Sequence, residues 1–473
     1  MSLADVKPVF DSLRARMDRQ RRECDRVDSW IRPELEKGFR VPRHASHEHR
    51  SLADLSTTPW LRLVVDNVVQ AMYVDSIVGE SGPSEALWSL WMGNGMSAQQ
   101  VSAHRSMIAY GSAFMVVSRA RGGFGEASSR IRCLSPRRVA VDWDDLGADP
   151  YPSAALEYVG VENKETRWIL RLPGVEYTIL EGKYDPNLEF KGLRIGQQVP
   201  TGLDFVPVVR MANQMDLDGH VVGEVTPFIP TAARINKTSF DRLLAQHFSS
   251  WKVKTVTGLE LPESVGPDGE PTGKVDQDAA DRMKVKLAQD DLLVAEDPDT
   301  RFGQLDATSL EPFVSAWRSD IEALAAVSQT PAHALTGQMV NLSAEALAAA
   351  RAPLTQKVHE RQMNAGVAYG RALRAAALMA GLVDEAEDEM VRVKWQDMEI
   401  RSMSQAVDAL GKAATMLGIP KQALWGRIPG VESGDVQEWR AFAEDEAALD
   451  PFMVEINRRR ESTIDGVSGG SDL

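Results

Sequence analysis

The period of the apolar residues changes twice along this chain, and each change narrows the folds open to it. In the first 112 residues the spacing is helical. Val9, Leu13 and Met17, then Val27, Trp30 and Ile31, mark one helix within the first 40 residues. Residues 60–80 form a second apolar helical stretch, stopped by Gly79 and by Gly82 and Pro83. Residues 84–112 read as helical again, broken near Gly93, Asn94 and Gly95. From 113 to 211 the pattern becomes short apolar or alternating runs: Ala113–Ala120, Arg130–Leu134, Arg138–Trp143, Ala155–Val161, Arg167–Leu172, Tyr177–Leu180 and Val206–Met211. Turn-forming glycines and prolines separate them, which predicts antiparallel strands. Helical spacing then returns. The expected class is α+β, predominantly helical.

Beyond residue 223 the chain is organised by three long helices. The first begins near Glu224 and carries Ile235, Phe240, Leu243, Leu244, Phe248 and Trp251; Pro227 and Pro230 suit its first turn, where a missing N–H costs little. A strand-like piece and a Pro/Gly-rich stretch follow, then a charged segment, 276–300, with a strand at Asp291–Ala295. The second helix spans about Ser309–Val327, with Leu310, Phe313, Trp317, Ile321 and Leu324 on one face. Residues 328–343 read as a polar loop. The third helix runs from about Ala344 to Ala380, with Leu347, Leu354, Val358, Ala365, Tyr369 and Leu373 at helical intervals and Pro353 as a kink. The acidic run Asp384–Glu389 leads to a short strand, Met390–Trp395, and a helical module covers about 400–450. The Gly/Ser-rich tail, Ser462–Leu473, is expected to be mobile.

Charge and cysteine content exclude several classes. With 473 residues the chain has room for about three domains. It carries 53 Lys and Arg against 68 Asp and Glu, a net charge of −15. A general nucleic-acid coat needs cations to neutralise phosphates and does not fit this balance. The cationic positions of the first helix, from Arg14 to Arg26, alternate with Asp11, Asp18, Glu23, Asp25 and Asp28, so ion pairs along the helix are favoured over a nucleic-acid or membrane face. Two cysteines, Cys24 and Cys133, make no disulfide framework. No apolar run approaches the roughly 20 residues of a membrane span, and the N-terminus lacks the apolar core of a secretory signal. A soluble, acidic, intracellular protein is expected.

No catalytic, cofactor or metal motif emerges. Gly266–Lys274 resembles a phosphate-binding loop, but Asp268 and Val275 stand where the pattern requires Gly and Ser or Thr. His44, His47 and His49 have spacing that suits a metal, yet zinc wants further ligands, and solvated histidines on a polar loop are favoured. Gly122 to Gly125 read as a hairpin turn. Acid pairs such as Asp144–Asp145 and Asp290–Asp291 carry little information in so acidic a chain. No nucleophile elbow or Cys/His arrangement is present.

The order of parts does point somewhere. EVTPFIPTAARINKTSFDRLLAQHFSSW, LEPFVSAWRSDIEALAAVSQTPAHALTG, NLSAEALAAARAPLTQKVHERQ and SQAVDALGKAATMLGIPKQALWGRIPGV, with YGSAFMVV and IRCLSPRRVAVDWD earlier, resemble stretches of the portal (head-to-tail connector) proteins of tailed bacteriophages, specifically the group from phages with long non-contractile tails. The resemblance spans most of the chain in the expected order. It implies a wing at 1–223, a first stem helix at 224–251, a clip at 252–305 and a second stem helix at 306–328. It further implies a tunnel loop at 329–343, a long kinked wing helix with its return strand at 344–394, and a helical crown with a mobile tail at 395–473.

The resemblance also implies a function. A homo-oligomeric ring of about twelve subunits would conduct double-stranded DNA, bound without sequence preference, at one capsid vertex of the virion. The ring would be assembled in the host cytoplasm, away from any membrane. Capsid and scaffold proteins, the large terminase subunit and a head-to-tail adaptor would be its partners, and the terminase would be the ATPase. The missing phosphate loop fits that division of labour, and so does the acidity, because tightly held phosphates would hinder sliding. The 224–251 helix would be about 40 Å long, enough to line a channel. On it, Lys237 and Arg242 either touch phosphates or pair with Asp241 or a neighbouring subunit. The tunnel-loop candidates are Thr336, Gly337, Gln338, Met339, Val340, Asn341, Leu342 and Ser343, whose neutral groups can pack on a DNA backbone without fixing it. Trp251, Trp317 and Trp395 are expected in packing, within or between subunits. Two other readings stay open from sequence: another head-assembly protein (minor capsid or scaffold), and a hydrolase built on an unrecognised carboxylate pair.

Overall fold

A computed structural model describes residues 2–34, 39–42, 44–121, 127–146, 149–182, 192–250, 254–257, 263–265, 270–275, 301–304, 309–337, 343–396, 403–428, 431 and 433–449. In chain order the elements are α1 (Leu3–Ile31), α2 (His47–Ser56), α3 (Trp60–Val69), β1 (Val74–Gly79), β2 (Gly82–Pro83), α4 (Glu85–Gly93) and α5 (Met96–Tyr110). Then come β3 (Ser112–Arg121), β4 (Ala127–Leu134), β5 (Val139–Asp142), β6 (Ala154–Glu162), β7 (Glu165–Leu172), β8 (Val175–Glu181), β9 (Leu193–Pro200), β10 (Val208–Ala212), β11 (Gln214–Met215) and β12 (Val221–Val222). A 3-10 turn, Thr226–Phe228, leads into α6 (Ile229–Ser250), followed by β13 (Lys254–Thr257), β14 (Glu263–Val265), β15 (Pro271–Val275) and β16 (Arg301–Gln304). The chain continues with α7 (Glu311–Ser328), α8 (Ala332–Thr336), α9 (Ala344–Ala380), α10 (Val383–Glu387), β17 (Arg392–Trp395), α11 (Met403–Met416), α12 (Lys421–Leu424) and α13 (Ser433–Leu449). The fold is mixed α+β and mostly helical, as expected.

Two compact units divide the chain. One holds residues 1–38, 59–232 and 321–473; the other holds 39–58 and 233–320. In the larger unit, α1 lies on the five-stranded antiparallel sheet β5–β6–β7–β8–β9. Val6, Phe10, Leu13 and Met17 recur every three or four residues and so share one helix face, buried against Leu156, Trp168, Leu170, Tyr177 and Ile179. Phe10 meets Trp168 edge-on at 5.8 Å. A second sheet, β10–β3–β4, packs Phe114, Val116 and Val208 with Val139, Val141 and Val206. The long helix α9 runs over β3, β4, β10 and β17 and buries Ala365, Tyr369, Ala372, Leu373 and Ala376. Its alanines let the backbone come close to the sheets.

The smaller unit contains α2, most of α6, the antiparallel pairs β13–β16 and β14–β15, and the first part of α7. Arg234 of α6 donates to Asp320 of α7 at 2.7 Å, and Thr58 N–H donates to the buried Asn236. Phe39 and Phe240 lie 6.2 Å apart.

Several elements differ from expectation for identifiable reasons. Residues 60–80 are not one helix: after α3 the chain becomes β1, because Val74, Ser76, Ile77 and Val78 pair with β17. Residues 40–58 contain α2, capped by the Ser46 side chain accepting from His49 N–H, so His47 and His49 are helical. The 328–343 segment contains the short helix α8, and the acidic run contains α10. The polar, largely exposed strand β9 had no apolar alternation to announce it. Lys274 sits in β15, a strand and not a phosphate-binding loop. Gly122–Gly125, Asp290–Asp291, the Asp291–Ala295 strand, Trp251 and the 462–473 tail lie outside the described residues.

Candidate functional site

The entry to α6 is built around one buried carboxylate. β12 ends at Val222, and Gly223 threads past α5 so closely that a Cβ there would lie 2.3 Å from the Ala109 carbonyl oxygen. Only glycine fits that approach. The next residue, Glu224, donates its backbone N–H to the Ile108 carbonyl at 2.7 Å, which turns its side chain into the interior. There Lys357 and Arg361, one turn apart on α9, both meet it at 2.8 Å. Asn213 donates to the same carboxylate at 3.3 Å. Lys357 also donates to the carbonyl of Ser328, the last residue of α7, at 2.7 Å. One lysine therefore links the start of the α6 segment, the end of α7 and the middle of α9.

Electrostatics follow from this packing. Burial alone would raise the Glu224 carboxyl, but Lys357 and Arg361 outweigh it and hold the group below the usual carboxylate range. Burial likewise lowers Lys357, against the pull of Glu224. Glu224, Lys357 and Arg361 are all buried, so the cluster is structural, with no open face for a substrate. A second buried carboxylate, Glu157 of β6, takes both guanidinium nitrogens of Arg132 at 2.7 and 3.0 Å and an ion pair from Arg171 at 2.9 Å. Neither site has the free acid and base that hydrolysis demands.

The channel candidates are distributed as follows. Lys237 pairs with Asp241 one turn away, its Nζ 2.6 Å from Oδ2. Arg242 is half-buried and makes no ion pair among the described residues. Thr336 ends α8 with its hydroxyl donating to the Ala332 carbonyl, and Gly337 caps that helix in the left-handed region at φ 68°. Ser343 caps α9, its hydroxyl accepting from Ala346 N–H at 3.2 Å. Gln338, Met339, Val340, Asn341 and Leu342 lie outside the described residues. Gly337 and Ser343 are thus helix caps, a role that sequence reasoning did not assign to them. Trp395 is half-buried and packs against His104 and Tyr369, and Trp317 is half-buried as well.

The first helix bears out local ion pairing, with Lys7–Asp11, Arg21–Asp18 and Arg26–Glu23, and adds longer reaches such as Arg14 to Glu181 on β8. Among the described residues, Asp216, Asp218 and His220 are the one group close enough to share a metal ion, and all three are exposed. His44, His47 and His49 do not form such a group. No helix among the described residues is long and apolar enough to cross a membrane.

Comparison with known proteins gives this architecture its class. Residues 11–449 match the family described as phage portal protein, SPP1 Gp6-like. The portal protein of Mycobacterium phage L5 is 27% identical over 465 residues, covering 93% of this chain and 88% of that protein. A structure described as the neck of a native GTA particle, computed with C12 symmetry, is similar at 11% identity and a TM-score of 0.38, over 83% of this chain and 99% of its own. The chain belongs to the SPP1 Gp6-like family of phage portal proteins. Its function is to form a homo-oligomeric, DNA-conducting channel at a capsid vertex, as a structural and non-catalytic part of the virion.

Proposed function

We propose that α6 and α7 are the stem helices of this channel and that the segment between Thr336 and Ser343 is its tunnel loop. Residues 1–223 and 344–394 form the wing, 252–305 the clip, and 395–473 the crown. The ring has about twelve copies, closed by rotation of one repeated heterologous contact. A terminase feeds double-stranded DNA through it, an adaptor docks on the clip, and capsid and scaffold proteins surround the wing.

The observation that carries this reading is the state of the cations on α6. Arg234 is engaged with Asp320, Lys237 with Asp241, and Arg242 is half-buried. With two of these three cations already paired and the third half-buried, the helix presents a weakly attractive wall. DNA then slides, because few phosphates can exchange their counterions for protein charge. The caps at Gly337 and Ser343 support the loop assignment, since they end one helix and start the next on either side of a short neutral segment.

Deleting Gln338–Asn341 tests it. Rings should still assemble, seen by negative-stain electron microscopy and solution mass, while packaged or retained DNA falls. A packaged-DNA yield equal to wild type would overturn the loop assignment.

A further inference from the structure

A cavity of about 640 Å³ opens between α1, β3, β5, β10 and the β11–β12 turn, all within the larger unit. Its walls include Val27, Phe114, Val141, Trp143 and Val221. Three arginines line it: Arg16, Arg19 and Arg210. Their partners differ. Arg16 pairs with Asp142 at 2.9 Å and donates to the Val141 carbonyl. Arg19 is exposed and makes no ion pair among the described residues. Arg210 is half-buried and stacks on Trp143 with its guanidinium carbon 4.3 Å from the ring centre. Its polar contact among the described residues is the Met215 sulfur, a weak acceptor.

Several other buried or half-buried arginines are differently placed. Arg132, Arg137, Arg171 and Arg361 each meet at least one carboxylate where they leave the solvent. Arg210 meets none. Burial and the charge of Arg16 lower its affinity for the proton to a pKa of about 10, a sign of uncompensated positive charge. Glu23, the carboxylate in the lining, is turned to Arg26 at 3.7 Å, and His220 is engaged by Asp216 at 3.0 Å. The lining also includes Gln20.

We propose that this cavity receives an acidic side chain, with its flanking peptide, from a neighbouring copy of this chain in the ring. A carboxylate would take the bidentate geometry that a guanidinium offers. A net charge of −15 means that every copy carries surplus carboxylates. In a closed ring each copy presents one face to the next and receives the other, so donor and pocket belong to different surfaces of one protein.

The proposal rests on the ring assembly, and the test separates the two. Full-length R210K keeps the charge and supplies an amine. Rings mixed from ¹⁵N-labelled and unlabelled copies are treated with a carbodiimide and digested. The expected product is an amide from position 210 to an Asp or Glu of the other copy, found by mass spectrometry as mixed-isotope pairs. In parallel, R210M rings should dissociate at about tenfold higher protein concentration than wild type, the effect of losing one charge-assisted contact per interface. Far-UV circular dichroism and melting check the R210M fold; if it is lost, the R210K cross-link decides. R210K rings that form as wild-type rings do, but give no cross-link from position 210 to another copy, would overturn the pocket assignment alone. So would R210M rings of unchanged stability that bind duplex DNA less well, since the occupant would then be phosphate. An absence of wild-type rings would overturn the ring assembly and this proposal together.

Discussion

Glu157 and Glu224 are both buried carboxylates held by two cations, yet they join different things. Glu157 sits in a sheet and ties it to the neighbouring sheet through Arg132 of β4, while Arg171 is shared with Glu176 of β8. Arg132 is 35% exposed, so one end of that network already reaches water. In the Glu224 network the two cations are each 3% exposed, one of them also holds the end of α7, and the way out to water is the exposed Glu360, 2.7 Å from Arg361. The first network fastens neighbouring strands; the second fastens three helical segments far apart in sequence. Breaking a buried pair costs most where the orphaned charge cannot reach solvent, and on that ground the helical network is the stiffer of the two.

Glu224→Leu gives the hardest test of that difference. It leaves Lys357 buried without a carboxylate, while Arg361 keeps Glu360, and should destabilise the protein by about 3–5 kcal/mol in denaturant unfolding. Glu157→Leu should cost less, about 2–3 kcal/mol, because Arg132 can turn outward and Arg171 keeps Glu176. Equal losses would erase the distinction between the two networks.

Acid sharpens the comparison. Both carboxyls are held below their ordinary 4.5, so their stabilisation is complete above that pH and is lost as pH falls through their folded-state values. His104 acts earlier. Burial pushes its ring down to about 4 from 6.5, so the folded protein resists a proton that the unfolded chain accepts, and stability falls from pH 6.5 downward. Measured by melting, His104→Gln should flatten the decline between pH 6.5 and 4.5, which should be on the order of 2 kcal/mol in the wild type. The carboxylate phase below 4.5 should remain. If H104Q leaves the decline above pH 4.5 in place, another group carries it.

The smallest effect belongs to Lys237, whose exposed pair with Asp241 is the solvent-facing counterpart of both networks. Lys237→Gln should change stability by no more than about 0.5 kcal/mol. A larger loss by the same measurement would show that α6 depends on that pair.

The sequence announced what local pattern can announce. α9 was legible because its apolar residues keep helical spacing from Leu347 to Leu373. The strands β3 to β8 were legible from apolar runs between turn residues, and α4 and α5 from the break at Asn94. Pairing with distant partners was not legible: Val74–Gly79 continues an apolar helical run and becomes a strand because β17, more than three hundred residues later, lies beside it. α2 was hidden by its polarity, since Ala53 and Ser56 are its buried residues and its serine cap is the better signal. The Glu224 cluster was unreadable for a different reason. Its acid and its bases stand over 130 residues apart in a chain with 68 acids, and nothing local distinguishes the glutamate that turns inward. For the channel candidates the sequence supplied family order, while the caps at Gly337 and Ser343 came from the structure.

Lys357 has one ammonium group and two obligations, a carboxylate at the threshold of α6 and a carbonyl at the close of α7. It cannot follow one of them without abandoning the other. If either end drifts, a charge is uncovered where no water waits to solvate it, and the attraction pulling it back is steepest at the start of the movement. The lysine therefore behaves as a stiff spring with a short travel: small displacements are opposed strongly, and a large one, once made, meets little further resistance.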